Sequence, residues 1–173
     1  GMGGAVRARH LNEVQLGSCQ YVDNEVRVKA EGAGVAGGAL AATIPPEFWE
    51  QPGGLDMTNC LVADNKVWTN SGGDEPYAMG GGIWTSGGSD LSLVNCTVSG
   101  NVADNTYNAE DSYAGGVMCG GFTGHYGHAR VINSILSGNV DGHSWDDSYE
   151  WQNNIHGAVD VRFSCLESGN AAT

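Results

Sequence analysis

Basic residues are scarce in this sequence of 173 residues, which holds 7 lysines and arginines against 20 aspartates and glutamates. The net charge of −13 repels the phosphates of DNA and RNA, so we expect no nucleic-acid partner. Proline is also rare, with 4 residues, and charged residues make up only 16% of the chain. Because 40% of the residues are apolar and can form a core, this composition indicates a folded domain rather than a disordered segment.

Long apolar runs are missing as well. No segment approaches the roughly 20 consecutive apolar residues of a transmembrane helix, so we expect a chain that does not span a membrane. No window shows a convincing helical period. No secretory signal precedes the first repeat, and Gly1 before Met2 resembles an expression remnant.

Glycine, by contrast, is the most abundant residue, with 28 copies, and it marks the start of a repeat. The segment 80–101 contains a glycine-led start, an alternating run with Leu91 and Leu93, and a tail that ends at Asn101. Similar tails begin at Ser18-Cys19, Asn59-Cys60, Asn95-Cys96, Asn133-Ser134 and Ser164-Cys165, at steps of 41, 36, 38 and 31 residues. Periods of this length are typical of stacked repeat architectures.

Apolar and polar residues alternate between each start and tail, as in Leu55/Met57 and Leu91/Leu93. This period of two predicts short strands. We therefore expect a single domain over residues 1–173, with about five repeats whose equivalent strands pair in parallel roughly 4.8 Å apart.

The runs GGGI, LSLVNCTVSGN, ARVINSILSGN and VRFSCLESG resemble the right-handed parallel β-helix proteins of the pectin-lyase-like class. They are most similar to bacterial surface repeats of the polymorphic outer-membrane type. The resemblance implies an all-β fold, a single-stranded right-handed parallel β-helix (solenoid) of about five coils with long loops. It also implies a secreted or bacterial cell-surface protein. Because that class includes lyases, hydrolases and adhesins, the fold alone does not give an activity.

Two asparagine columns and one cysteine column follow from aligning the tails. Asparagine tolerates the left-handed backbone of a sharp turn, and its amide can bond to the next repeat, so we expect turn ladders. The cysteines are expected to be buried free thiols, with Cys119 outside their column. In the last repeat, we expect the strand to shift by one residue, so that Val159, Val161 and Phe163 point inward. The columns are Asn59, Asn95 and Asn133; Asn24, Asn65, Asn101, Asn139 and Asn170; and Cys19, Cys60, Cys96, Ser134 and Cys165.

Three acidic loops follow successive tails, and each ends near a tyrosine, with the tyrosines 36 residues apart. Stacked repeats would bring their carboxylates to one side, where a hard divalent cation would relieve the repulsion. This pattern predicts calcium binding by Asp74, Glu75, Glu110, Asp111, Asp146 and Asp147. Solvated loops ordered by the tyrosines are the alternative, because no strict calcium-loop motif is present.

A second variable loop is long in the second and fourth repeats and short in the third. Two long aromatic loops beside a short one would frame a groove, and aromatic rings beside carboxylates commonly hold sugars. We therefore predict ligand binding at Trp49, Trp84 and Tyr126, with a polysaccharide or a cell-surface partner as the ligand. The alternative is that Phe48, Trp49, Phe122 and Tyr126 pack over the coil as lids.

Catalysis has only weak support in the sequence, from Glu47 and Glu50 as a carboxylate source and from His125 and His128 as bases. None of the few arginines and lysines lies in a recognisable lyase motif. We therefore favour a binding or structural module, adhesin-like and calcium-stabilised, over a polysaccharide lyase or glycoside hydrolase. The chain begins and ends in mid-repeat without a capping helix, which predicts either a fragment or end-to-end homo-oligomers.

Overall fold

The fold is all-β in a computed structural model that describes residues 3–9, 13–29, 34–43, 53–70, 77–86, 88–106, 112–120, 127–142 and 154–167. These residues contain no helix, and every pair of neighbouring strands runs parallel. The predictions of an all-β chain and of parallel pairing are confirmed. None of the described residues form a helix with the length and apolarity that crossing a membrane requires.

The described strands are short and recur in the same order along the chain. The first half contains β1 (Val6–Arg9), β2 (Val14–Gly17), β3 (Gln20–Val22), β4 (Glu25–Val28), β5 (Val35–Ala36), β6 (Leu40–Thr43), β7 (Gly54–Thr58), β8 (Leu61–Ala63), β9 (Lys66–Thr69), β10 (Ala78–Met79) and β11 (Ile83–Ser86). The second half contains β12 (Asp90–Val94), β13 (Thr97–Ser99), β14 (Val102–Asn105), β15 (Ser112–Tyr113), β16 (Val117–Cys119), β17 (His128–Ile132), β18 (Ile135–Ser137), β19 (Val140–Asp141), β20 (Ile155–His156), β21 (Ala158–Arg162) and β22 (Cys165–Leu166).

Each strand pairs with the equivalent strand of the neighbouring repeat. The β1 sheet has the order β1-β6-β11-β16-β20, the β2 sheet β2-β7-β12-β17-β21, and the β3 sheet β3-β8-β13-β18-β22. The β4 sheet has the order β4-β9-β14-β19, and the β5 sheet β5-β10-β15. Three of the sheets therefore take one strand from each of five repeats.

The core forms because alternate residues of each strand point inward. In the β2 sheet, Leu55 pairs with Leu91, and Met57 pairs with Leu93, and all four side chains are buried. These residues pack with Val62 and others from the β1 and β3 sheets into one cluster. Burial of such side chains contributes roughly 1.5–3 kcal/mol each, which makes this cluster the main stabilising element.

The turns use left-handed backbone conformations, as the asparagine columns predict. Asn59, Asn95 and Asn133 have φ angles of 56°, 54° and 47°. Their amides form a ladder, with Asn95 Nδ2 donating to Asn59 Oδ1 at 3.1 Å and Asn133 Nδ2 donating to Asn95 Oδ1 at 2.6 Å. The prediction of a turn ladder is confirmed for this column.

The second asparagine column is buried and forms a continuous ladder. The Nδ2 atoms of Asn24, Asn65 and Asn101 each donate at 2.8 Å to the Oδ1 atom of the next asparagine, ending on Asn139. Asn170 lies outside the described residues. In its place, Asn154 accepts from Asn139 Nδ2 at 2.8 Å and so continues the hydrogen bonding.

The strand of the last repeat is shifted by one residue, as predicted, but the shift also moves Cys165 out of the cysteine column. Cys165 pairs with Ile135, so it stands one position beyond the cysteine column, and Ser164 takes the place next to Ser134. Ser164 fits because its hydroxyl donates to the Arg162 carbonyl two residues before it and to the Val131 carbonyl of the neighbouring repeat. The buried cysteines of the column make the equivalent bonds with their thiols. The prediction for Cys165 is therefore wrong.

The prediction that Val159, Val161 and Phe163 of the last repeat point inward is confirmed only in part. Val159 and Val161 pair with the inward residues Ala129 and Val131, and Val159 packs against the core. Val161 is nevertheless 38% exposed. The prediction for Phe163 is wrong, because this residue occupies the turn position at φ 51° and is 90% exposed.

The cysteines are free throughout the described residues, as predicted. Cys60 and Cys96 are buried, and each thiol donates to the carbonyl two residues before it, at 3.3 Å in both cases. Cys119 is buried in the core outside their column. These three thiols therefore act as small core groups. The prediction of burial is wrong for Cys165, which is exposed, and Cys19 is only partly buried.

Candidate functional site

Outward side chains of the β2 sheet form a column of polar groups across five repeats. The residues between the inward positions must point outward, because successive side chains of a strand alternate between the two faces. The strand register places five of them in one column, which we call the polar face: Gln15, Asp56, Ser92, Arg130 and Asp160.

A groove of about 740 Å³ runs along this surface, lined by Gln15, Leu16, Gly17, Asp56, Thr58, Ser92 and Arg130. A smaller depression of about 260 Å³ adjoins it and shares Asp56, Ser92 and Arg130. Asp90 and His128 add their side chains to the smaller depression. The groove volume lies within the range of small-molecule sites, and its open form suits an elongated ligand.

Charge is unevenly distributed over this surface. At one end, burial raises the pKa of Asp56, and hydrogen bonding to Glu13 and its charge raise that pKa further. At the other end, the hydrogen bond from Arg162 lowers the pKa of Asp160, and the charges of Arg162, His128 and Arg130 act in the same direction. One end of the polar face is therefore rich in carboxyl groups, and the other is rich in cations.

Several backbone and side-chain contacts hold this surface in place. The backbone N–H of His128 donates to Asp90 Oδ1 at 3.1 Å, which joins two neighbouring repeats. Gln15 Nε2 donates to Glu13 Oε1 at 2.7 Å. Arg162 Nη2 lies 2.8 Å from Asp160 Oδ2, although both side chains are partly exposed. Such exposed pairs contribute little stability but do fix side-chain positions.

One of the predicted catalytic residues lies on this surface. His128 is exposed on β17 and lines the smaller depression with Asp56 and Asp90. Glu47, Glu50 and His125 lie outside the described residues, so the predictions for them stay predictions.

The predicted aromatic groove is only partly within the described residues. Trp84 is 6% exposed, and its indole Nε1–H donates to the Gly120 carbonyl at 3.1 Å. It packs with Met79 and Met118 in a small apolar cluster on the outer side of the β1 sheet. Because Trp49 and Tyr126 lie outside the described residues, ligand binding by this trio stays a prediction.

All six carboxylates of the predicted calcium site lie outside the described residues. They are Asp74, Glu75, Glu110, Asp111, Asp146 and Asp147. The neighbouring tyrosines do meet, since the ring centroids of Tyr77 and Tyr113 are 6.0 Å apart. In the part of the chain that the structure describes, no three His, Cys, Asp or Glu residues group together in a way that could hold a metal. Calcium binding stays a prediction.

Asp56, Ser92 and Arg130 were not singled out by the sequence patterns. Their signal is present, because each lies between two inward apolar residues of an aligned strand, as Asp56 does between Leu55 and Met57. The three residues lie at the aligned outward positions of the strands and not in the aligned loops.

Comparison with known proteins gives no further constraint on this site. No protein-family model, curated protein or solved structure matches the chain.

Proposed function

We propose that this chain is a β-helix module that binds an extended carbohydrate along the polar face of the β2 sheet. The stacking of equivalent strands in five consecutive repeats supports a solenoid with one coil for each repeat. The right-handed form and a secreted or cell-surface location rest on the resemblance of the repeat motifs. The adhesin-like binding role rests on the groove.

The single observation that carries this proposal is the open groove over a regular column of polar side chains. Parallel strands place these side chains about 4.8 Å apart, so an elongated ligand would meet one polar group for each repeat. Asp56 accepts hydrogen bonds when ionised, Arg130 donates them, and Ser92 does both. Sugar hydroxyl groups both donate and accept, and they therefore match a mixed column better than a single charged group would.

The test is binding of soluble polysaccharides, neutral and charged, first by affinity electrophoresis and then by calorimetry. Asp56→Asn and Arg130→Gln should each weaken the binding of a polysaccharide that the native protein holds, by about tenfold if each loses about 1.4 kcal/mol of hydrogen bonding. Asp64→Asn and Arg7→Gln are the matched controls, because they remove the same charges from other surfaces.

The proposal fails if the native protein binds none of the polysaccharides. It also fails if the two control variants weaken binding as much as Asp56→Asn and Arg130→Gln do. A loss of binding in all four variants would show that the polar face does not determine the interaction. Net charge would not explain such a result either, because the aspartate and arginine variants change it in opposite directions.

A glycan-cleaving enzyme is the second candidate, because His128 lies in the same depression as Asp56, Asp90 and Arg130. Burial raises the pKa of Asp56, which is the direction of shift that general acid catalysis by a carboxyl group requires. Release of new sugar ends from a bound polysaccharide, lost in His128→Asn with its Kd unchanged, would support this candidate. Absence of turnover on every bound polysaccharide would remove it.

Calcium stabilisation is a separate part of the proposal, supported by the repeated loop carboxylates. Calcium in excess should raise the melting temperature relative to EDTA, and Asp111→Asn/Asp147→Asn should abolish that rise. An equal melting temperature with calcium and with EDTA would leave these loops as solvated segments.

A further inference from the structure

A second polar surface lies on the outer side of the β4 sheet and combines an aromatic ring with cations. Val26 and Val67 pair with each other and point into the fold, which leaves Arg27 and Trp68 paired on the outside. The Arg27 guanidinium carbon lies 5.1 Å from the centroid of the Trp68 ring, and Lys29 Nζ lies 5.9 Å from it. We call Arg27, Lys29 and Trp68 the tryptophan cluster.

The two cations of this cluster differ in how they are paired. The Arg27 Nε and Nη2 atoms donate to a single oxygen, Glu25 Oε1, at 3.0 and 2.6 Å. The remaining guanidinium donors therefore point away from that carboxylate. For Lys29, no carboxylate within the described ranges lies at ion-pair distance. Within the described residues, the cluster thus holds two cations over one aromatic ring, with Arg27 bonded to one carboxylate oxygen and Lys29 to none.

This concentration of positive charge is unusual for the molecule. The chain contains 7 basic residues, and three of them lie at the β4 sheet. Arg27 is on β4, Lys29 directly follows β4, and Lys66 is on β9. Lys66 lies 3.2 Å from Asp104, so it is paired. Like charges on the same side of a strand repel each other, and an anion held between Arg27 and Lys29 would relieve that repulsion.

We propose that the tryptophan cluster binds an oxyanion, the sulfate or carboxylate group of an acidic ligand. Arg27 offers a planar guanidinium with free donors, and Lys29 offers an ammonium group with three. The indole ring holds both cationic groups by cation–π attraction, which reduces the side-chain freedom that is lost when the ligand binds. Two carboxylates lie beside the cluster, and both are paired, Glu25 with Arg27 and Asp104 with Lys66. Acidic residues further away are screened beyond about 8 Å at physiological salt.

The chain contains its own control for this proposal. Asp160-Val161-Arg162 repeats the local ion pair of Glu25-Val26-Arg27 on the same alternate strand positions. Among the described residues, no aromatic ring lies under Arg162 and no second cation follows it on its strand. Arg162→Gln therefore removes the same charge and the same type of ion pair without affecting the tryptophan cluster.

The experiment is a calorimetric titration with dextran sulfate, with unsulfated dextran and with sodium sulfate, at about 20 and about 200 mM sodium chloride. Dextran sulfate should bind, and binding should weaken at the higher salt concentration. Arg27→Gln and Lys29→Gln should each lower its association constant by roughly threefold to fivefold, and the double variant by about tenfold. Arg162→Gln reports on the cation-rich end of the polar face, whereas Arg7→Gln on β1 removes a cation outside both surfaces and should leave the association constant within about twofold. Thermal melts should confirm that all variants are folded.

The three titrants distinguish the source of the anion. Equal affinity per sulfate group for sodium sulfate and for dextran sulfate would identify a free-anion site, whereas tighter binding of the polymer would identify an acidic polymer as the ligand. Absence of binding to both sulfate compounds at low salt would overturn the proposal. It would also be overturned if Arg7→Gln or Arg162→Gln weakened binding as much as Arg27→Gln. Because Arg162 lies at the cation-rich end of the polar face, a weakening confined to Arg162→Gln would assign the polymer to that face instead.

Discussion

Removal of the Asn101 side chain should cost far more stability than removal of any asparagine in the outer ladder. Asn101 Oδ1 accepts from the backbone N and the Nδ2 atom of Asn65, at 3.0 and 2.8 Å. Asn101 Nδ2 donates to the Val62 carbonyl at 3.0 Å and to Asn139 Oδ1 at 2.8 Å. Asn65 and Asn101 are 0% exposed, so water cannot replace these bonds without entering the core.

The magnitude follows from counting the groups that Asn101→Ala leaves without a partner. Two donors of Asn65 and the Val62 carbonyl lose a hydrogen bond, whereas Asn139 Oδ1 still accepts from the Asn101 backbone N. At about 1–2 kcal/mol for each buried unsatisfied group, the loss is about 3–6 kcal/mol. This is a large part of the roughly 5–15 kcal/mol that stabilises a typical domain.

Asn95→Gly is the matched control in the exposed ladder. It also removes two side-chain hydrogen bonds, but their partners Asn59 and Asn133 are exposed and regain water. Glycine keeps the left-handed backbone at φ 54°, so we expect a loss of about 1 kcal/mol. Urea titration of both variants gives the two free energies of unfolding. Equal losses in the two variants, or a loss below about 1.5 kcal/mol for Asn101→Ala, would refute the argument that burial of the ladder is decisive.

Three further predictions follow from packing and from pKa. Gly38→Ala should destabilise the chain by about 3 kcal/mol, because its Cβ would lie 1.9 Å from a carbonyl oxygen of the next repeat. Gly17→Ala has no atom within 4 Å of its Cβ and should be close to neutral in the same denaturation assay. Burial lowers the pKa of His156 below its usual 6.5, so the folded chain binds fewer protons than the unfolded chain just below that pH. The free energy of unfolding should therefore keep its full value above pH 6.5 and fall as the pH drops towards the folded-state pKa of His156. His156→Gln should remove this part of the pH dependence, and an unchanged profile would contradict the burial argument. Burial raises the pKa of the Cys119 thiol to about 12, so a thiol reagent at pH 8 should label exposed Cys165 first and Cys119 only after unfolding, which mass spectrometry of the labelled peptides can check.

Much of the fold could be predicted because its signals are local. The alternation of Leu91 and Leu93 with polar residues requires one buried face whatever the partner strand is. Asn59 and Asn95 tolerate the left-handed backbone of a turn, and these turns set where each strand ends. These signals act within a few residues, so the sequence shows them directly.

The position of Cys165 was mispredicted because a residue type was aligned instead of a backbone position. Cys165 resembles the column cysteines, but the pairing of Val159 and Val161 with β17 moves it by one place. Ser164 then supplies the small hydrogen-bonding group that the column position needs. A serine hydroxyl and a cysteine thiol serve the same role there, so residue identity alone could not select the register.

The candidate site was predicted less well, since it depends on contacts between repeats. Of the predicted catalytic residues, His128 reaches the polar face, where it lies with Asp56 and Arg130. The latter two come from different repeats separated by a third, and no local pattern connects them. Loop length varies from repeat to repeat, so the sequence spacing of two residues does not give their distance in space.

The sequence by itself determined the inward positions of the strands in the middle repeats and where the chain turns, because strand alternation and left-handed turn residues act over short range. Only the tertiary structure decided which outward residues become neighbours. Strand register is set by the packing of a whole buried face, and a shift of one residue would turn every side chain to the other side. That register brings Arg27 onto Trp68 and aligns Asp56 with Ser92, and both proposed binding surfaces follow from it.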